Sequence, residues 1–119
     1  TDNNIGKLPK EIGLLTSLRN LYIEKNKLTS LPNAMQKLES LTVLHAGYNL
    51  FQHLPKQLVE IPRLLLLHIN NCQIIEIPKV FSTSKYSLMG IILDNNKLSE
   101  EDKKQWSKEF NSFFVASFK

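Results

Sequence analysis

A Leu-Pro or Ile-Pro step returns at Leu8-Pro9, Leu31-Pro32, Leu54-Pro55 and Ile77-Pro78, a spacing of 23 residues held through the chain. Few features constrain a fold as much. Self-similarity at periods of about 20 to 50 residues is the mark of a solenoid, in which each unit is too small to bury its own apolar face and must stack on the next.

Each unit carries a further string, L-x-x-L-x-L-x-x-N-x-L. Its anchors are Leu18, Leu21, Ile23, Asn26 and Leu28, then Leu41, Leu44, Ala46, Asn49 and Phe51, then Leu64, Leu67, Ile69, Cys72 and Ile74. The fourth set, Leu88, Ile91, Leu93, Asn96 and Leu98, is displaced by one residue, which places an extra residue between Phe81 and Tyr86. Over residues 1–98 the chain resembles the leucine-rich repeat family. The resemblance implies an α/β fold: a right-handed solenoid with a curved parallel β-sheet on its concave face, short helices or 3-10 turns on its convex face, and a C-terminal capping helix. Four units start at Leu8, Leu31, Leu54 and Ile77, after a partial repeat over residues 1–7.

The spacing has a physical basis of its own. In L-x-L the two apolar residues fall on one side of a strand and the residue between them faces out. The return path adds inward residues at Ile12 and Leu15, Met35 and Leu38, and Leu58 and Ile61. Proline after the leucine sets the backbone dihedral where the chain leaves the sheet. After each strand the chain bends with backbone groups turned inward, and an amide side chain both donates and accepts. Asn26, Asn49, Cys72 and Asn96 therefore form the expected structural ladder, with Cys72 as a small buried member rather than a reactive thiol.

At 119 residues the chain makes one domain. Its 15 basic and 11 acidic residues give a net charge of +4, which solubility explains. Lys10, Lys56 and Lys79 form a basic column after the Leu-Pro step, but Asn33 breaks it and no aromatic residues interleave, so no nucleic-acid partner is expected. A single cysteine and the lack of any Asn-x-Ser or Asn-x-Thr acceptor argue against a disulfide-rich eukaryotic extracellular protein. Localisation stays open between an intracellular protein and a bacterial secreted or surface one. No apolar run is long enough for a membrane span. Asn3 and Ile5 match Asn26 and Leu28 one period earlier, so the chain opens in mid-repeat, and its uncapped first unit is a candidate surface for self-association.

After Leu98 the composition changes. Ser99 caps a helix expected over about residues 99–110, with acidic residues in its first turn and Trp106 and Phe110 on its apolar face. Together with an edge strand over 113–118, it forms a cap over 99–119. Phe114 stands 16 residues after Leu98, as Leu44 does after Leu28, which places Phe114 and Ala116 as the inward residues of that strand.

The resemblance places ligand binding on the concave face. Its outward residues form one column of Tyr22, His45, His68 and Ile92, with Asn20, Val43, Leu66 and Gly90 beside it. Outer columns read Glu24, Gly47, Asn70, Asp94 and Lys25, Tyr48, Asn71, Asn95. Tyr22, His45, Tyr48 and His68 are the expected contacts, Val43, Leu66 and Ile92 their apolar support, and Glu24, Asn70 and Asp94 the polar rim, a composition suited to a protein or peptide ligand. His45 and His68 fall about 4.8 Å apart on adjacent strands. Tyr22 and Ile92 flank them without adding a firm third ligand, so no metal and no cofactor is expected. No glycine-rich phosphate loop, paired zinc motif or nucleophile elbow occurs, so no catalytic residue is expected either. The expected role is a protein-binding module. The alternatives are a recognition or autoinhibitory arm of a larger bacterial effector, surface or signalling protein, and a structural or self-associating spacer.

Overall fold

The computed structural model describes residues 4–119, so Asn3 and the start of the partial repeat over 1–7 lie outside the described residues. Five strands form one open parallel sheet in chain order: β1 (Asn20–Tyr22), β2 (Val43–His45), β3 (Leu66–His68), β4 (Gly90–Ile92) and β5 (Val115–Ser117). This is the expected solenoid.

The register follows the repeat. Leu21, Leu44, Leu67, Ile91 and Ala116 are paired along the inward row, and Tyr22, His45, His68, Ile92 and Ser117 along an outward one. On the far side the first three units return through 3-10 turns, Lys10–Leu14, Asn33–Lys37 and Lys56–Glu60. Pro9, Pro32 and Pro55 stand extended immediately before these turns, with φ of −72°, −72° and −61°. Their ring-locked dihedral delivers the chain into the turn, which is why the Leu-Pro step recurs. Leu38, Leu44, Leu54, Leu58, Ile61, Leu67 and Ile69 are buried in the single core between sheet and turns. Leu15, equivalent to the buried Leu38 and Ile61, is exposed.

The fourth unit returns through α1 (Val80–Thr83) instead of a 3-10 turn. Thr83 and Ser84 donate backbone bonds to the carbonyls of Lys79 and Val80, four residues back, and this wider turn takes up the extra residue between Phe81 and Tyr86. The Tyr86 hydroxyl donates to the Phe81 carbonyl at 2.6 Å and closes the bulge.

The last unit returns through α2 (Glu100–Glu109), where the Ser99 hydroxyl accepts from the Asp102 N–H at 3.0 Å. Trp106 and Phe110 are buried. Here the register departs from expectation. Ala116 lies opposite Ile91, but Phe114 is not an inward residue: it is 63% exposed. The ten-residue α2 is a longer return path than a five-residue turn, so the strand arrives two positions later. Phe113 and Phe118 pack against the core instead, with ring centroids 4.6 and 6.3 Å from that of Phe110.

Candidate functional site

Each strand ends in a bend that is tied to its neighbours by side-chain amides. Asn49 Nδ2 donates to the carbonyls of Ala46 and, one unit back, Ile23, both at 3.0 Å, while its Oδ1 accepts from the Leu28 N–H at 3.1 Å. Asn96 repeats this, donating to Ile69 and Leu93 and accepting from the Cys72 and Ile74 N–H groups. Asn26 donates to the Ile23 and Glu24 carbonyls. Cys72 is buried in the same row, with Sγ 3.6 Å from the Ala46 and Asn70 carbonyls. Burial pushes its thiol up to about 11, against weaker opposing bonds from backbone N–H groups, so it is a neutral donor at pH 7.

One position before this row, Lys25, Tyr48, Asn71 and Asn95 all adopt left-handed backbone, with φ from 53° to 59°. Asparagine tolerates that region and is a readable signal at 71 and 95. Lysine and tyrosine do not favour it, and nothing in their identity announces it. The conformation turns Tyr48 out of the sheet, where it is 51% exposed.

Side chains on the outward face are ordered by the register. The rings of Tyr22 and His45 stack with centroids 4.3 Å apart and planes within 6°, and those of His45 and His68 at 4.8 Å and 9°. Parallel strands hold equivalent positions at close to this spacing, so the backbone places the rings in contact. The His68 imidazole titrates below its usual range, chiefly because burial disfavours its charged form and secondarily because of His45. Among the described residues no group of three or more His, Cys, Asp or Glu side chains is arranged to hold a metal.

Val43, Leu66 and Ile92 are half-buried on the same face. The Asp94 carboxylate is taken up within the chain: its Oδ1 accepts from the Ser117 hydroxyl and from the Lys119 N–H, which clasps the end of the chain to β4. Asn70 Nδ2 donates to Asn71 Oδ1 at 2.9 Å.

The residue missed by sequence reasoning is Phe114. A Cβ placed on Gly90 would stand 2.6 Å from the Phe114 ring and 2.8 Å from Leu66 Cδ1, so the ring lies across Gly90 beside Leu66. Backbone bonds from Met89 to Leu65 and from Phe114 to Met89 make these three one row, in which Leu65 is 45% exposed. The residues one place ahead of the five strands, Arg19, Thr42, Leu65, Met89 and Phe114, share no residue type, so nothing in the repeat announces Phe114.

The sequence model of the leucine rich repeat family matches residues 1–51 and again 16–74. The chain belongs to the leucine-rich repeat family. Its structure is similar to that of a leucine-rich-repeat protein of Leptospira interrogans, with a TM-score of 0.82 and 30% identity over 96% of this chain. The chain spans 29% of the length of that protein. No curated protein is similar enough to register as a match. Leucine-rich repeats are generally protein-protein interaction modules, and among the described residues no helix is long and apolar enough to cross a membrane.

Proposed function

We infer that the chain binds a protein or peptide ligand on its concave face and performs no chemistry of its own. The observation that carries this reading is Phe114, 63% exposed and laid over Gly90 against Leu66, on the face that also presents Tyr22 at 59%. Large apolar side chains held in solvent on a rigid sheet are what a ligand covers: burying one such ring contributes about 1.5 to 3 kcal/mol. Aromatic anchors dominate binding energy at protein interfaces. Tyr22, His45, Tyr48 and His68 form the polar aromatic half of the surface, and Val43, Leu66, Ile92 and Phe114 the apolar half.

Selection of a displayed random-peptide library on the protein tests this. Peptides selected on the parent chain are expected to lose binding to the Tyr22→Ala, His45→Ala, Tyr48→Ala triple variant and to Phe114→Ala. They should retain it for a convex control, Gln36→Ala with Lys37→Ala, whose residues are exposed in a 3-10 turn. Equal binding by all variants would end the concave-face reading.

The length of the Leptospira relative supports a second reading, in which this chain is the recognition or autoinhibitory arm of a larger bacterial protein. The intact mass of the polypeptide in its source separates the two: a mass near 13.7 kDa leaves the module by itself, and a larger one sends the search for activity to the added sequence.

A further inference from the structure

His45 lies between the rings of Tyr22 and His68, with centroids 4.3 and 4.8 Å away and planes within 6° and 9°. Rings stacked in this way meet water at their edges rather than their faces. Both imidazoles are half-buried. Val43 and Leu66 precede them by two residues on the same strands, and Ile92 stands opposite His68 on β4. Two titratable rings in contact, set among aliphatic side chains, make the charge of the concave face depend on pH.

No carboxylate among the described residues is placed to hold that charge. The charged and titratable groups around the stack are Arg19, Glu24 and Lys25 beside β1, Tyr48 beyond β2, Asp94 beyond β4 and Lys119 beyond β5. None of them pairs with either imidazole: the ion pairs among the described residues are His53 with Glu76 and Lys103 with Glu100. Asp94 is occupied by Ser117 and Lys119, and one oxygen of Glu24 is sealed from solvent. What acts on His68 is burial first and His45 second, and both hold its imidazole below the usual range. A proton on each ring would set two like charges face to face at 4.8 Å with no counter-ion. A ligand adds to this. Covering Val43, Leu66 and Ile92 also takes water from the edges of the imidazoles, and lost water disfavours the charged form further. Neutral rings still donate and accept one hydrogen bond each, so a ligand can satisfy them without charge.

We propose that the stack couples ligand binding to protons: the concave face takes a protein or peptide ligand with both imidazoles neutral and releases it as the medium turns acid. The proposal rests on the concave-face reading and adds the regulation of that site. The sign follows from linkage. In acid the free face carries a proton that must leave when the ligand covers it, so protons compete with the ligand. A ligand that binds the neutral form alone loses about tenfold in affinity for each pH unit below the point at which free His68 is half-protonated. Above that point its affinity is constant.

The test uses library peptides selected on the parent chain at neutral pH that lose binding to Phe114→Ala. Their dissociation constants are expected to rise about tenfold from neutral pH to roughly pH 5. Calorimetry in buffers of different ionisation enthalpy is expected to show proton release on binding, up to about one proton per complex, in the acid part of that range. In a His45→Gln, His68→Gln double variant the ratio of the affinities at the two pH values should fall towards unity. In the free chain the His68 ring resonances should titrate below 6.5, and return towards it in His45→Gln. Affinity that stays flat or rises on acidification, or binding without proton release, would overturn the linkage and leave the concave-face reading in place, because dependence on Phe114 would stand. An equal pH dependence in the double variant would do the same. Should that variant fail to fold or to bind, the proton count on the parent chain decides alone. Peptides indifferent to every concave substitution would end the concave-face reading and the linkage with it.

Discussion

The Asn49 N–H donates to Cys72 Sγ at 3.4 Å, whereas the Cys72 N–H donates to Asn96 Oδ1 at 3.1 Å. The two residues occupy equivalent places in successive units, yet the junction that Cys72 serves has a sulfur acceptor where its neighbours have an amide oxygen. Sulfur accepts weakly. Cys72→Asn is expected to restore the oxygen and raise unfolding stability by about 1 kcal/mol, and Cys72→Ala to lower it by about 1 kcal/mol, as read from urea denaturation.

The same thiol makes stability depend on pH in the alkaline range. Its folded value of about 11 lies above the 9.0 of the free group, so between those values the folded chain keeps a proton that the unfolded chain releases. Stability from this group is complete below pH 9 and falls as pH rises towards 11, by about 2 kcal/mol. The difference in unfolding free energy between the parent and Cys72→Ala should shrink over that window and change sign, leaving Cys72→Ala the more stable near pH 11. A constant difference from pH 8 to 11 would count against the shift.

Lys25 and Tyr48 hold left-handed backbone that costs a residue with a Cβ roughly 1 to 2 kcal/mol. Lys25→Asn should therefore raise the melting temperature with about 0.5 to 1 kcal/mol of added stability. Tyr48→Asn should stabilise the fold similarly but weaken concave-face ligands, a separation that calorimetry and a binding assay on one variant would expose.

Two glycines respond unequally to the same added methyl. At Gly13 a Cβ would meet the Ala34 backbone oxygen at 2.8 Å, a contact between adjacent 3-10 turns that side-chain motion cannot relieve. At Gly90 it would meet the tips of Phe114 and Leu66, and the exposed Phe114 ring is free to swing away. Gly13→Ala is expected to cost about 1 to 3 kcal/mol. Gly90→Ala should cost less than about 1 kcal/mol yet displace Phe114 and reduce ligand binding, so similar melting points for the two variants would contradict this account.

The inward and outward rows through β4 are legible in the sequence because a strand alternates and the 23-residue period carries the alternation from unit to unit without loss of phase. Legibility ends where the return path changes length. The α1 turn in the fourth unit shifts the phase by one residue, and the displaced leucines reveal it. The α2 helix shifts it by two more at a point with no further repeat to show the slip, so Phe114 reads as core from its spacing and stands in solvent in the structure. The left-handed positions at Lys25 and Tyr48 are silent for another reason: the bonds of the following amide enforce them, and the residues themselves carry no preference for them. Asp94 reads as a free rim carboxylate because the groups that occupy it, Ser117 and Lys119, lie beyond the repeats.

The stacked rings of Tyr22, His45 and His68 take their separation from the backbone ladder beneath them, and their near-parallel planes allow no rung to tilt without disturbing the next. Such a surface behaves as a ruler with fixed graduations. A ligand spanning β1 to β3 meets spacings decided before it arrives, so discrimination falls on the ligand's own geometry, and the ordering of the receptor is already complete when the two meet.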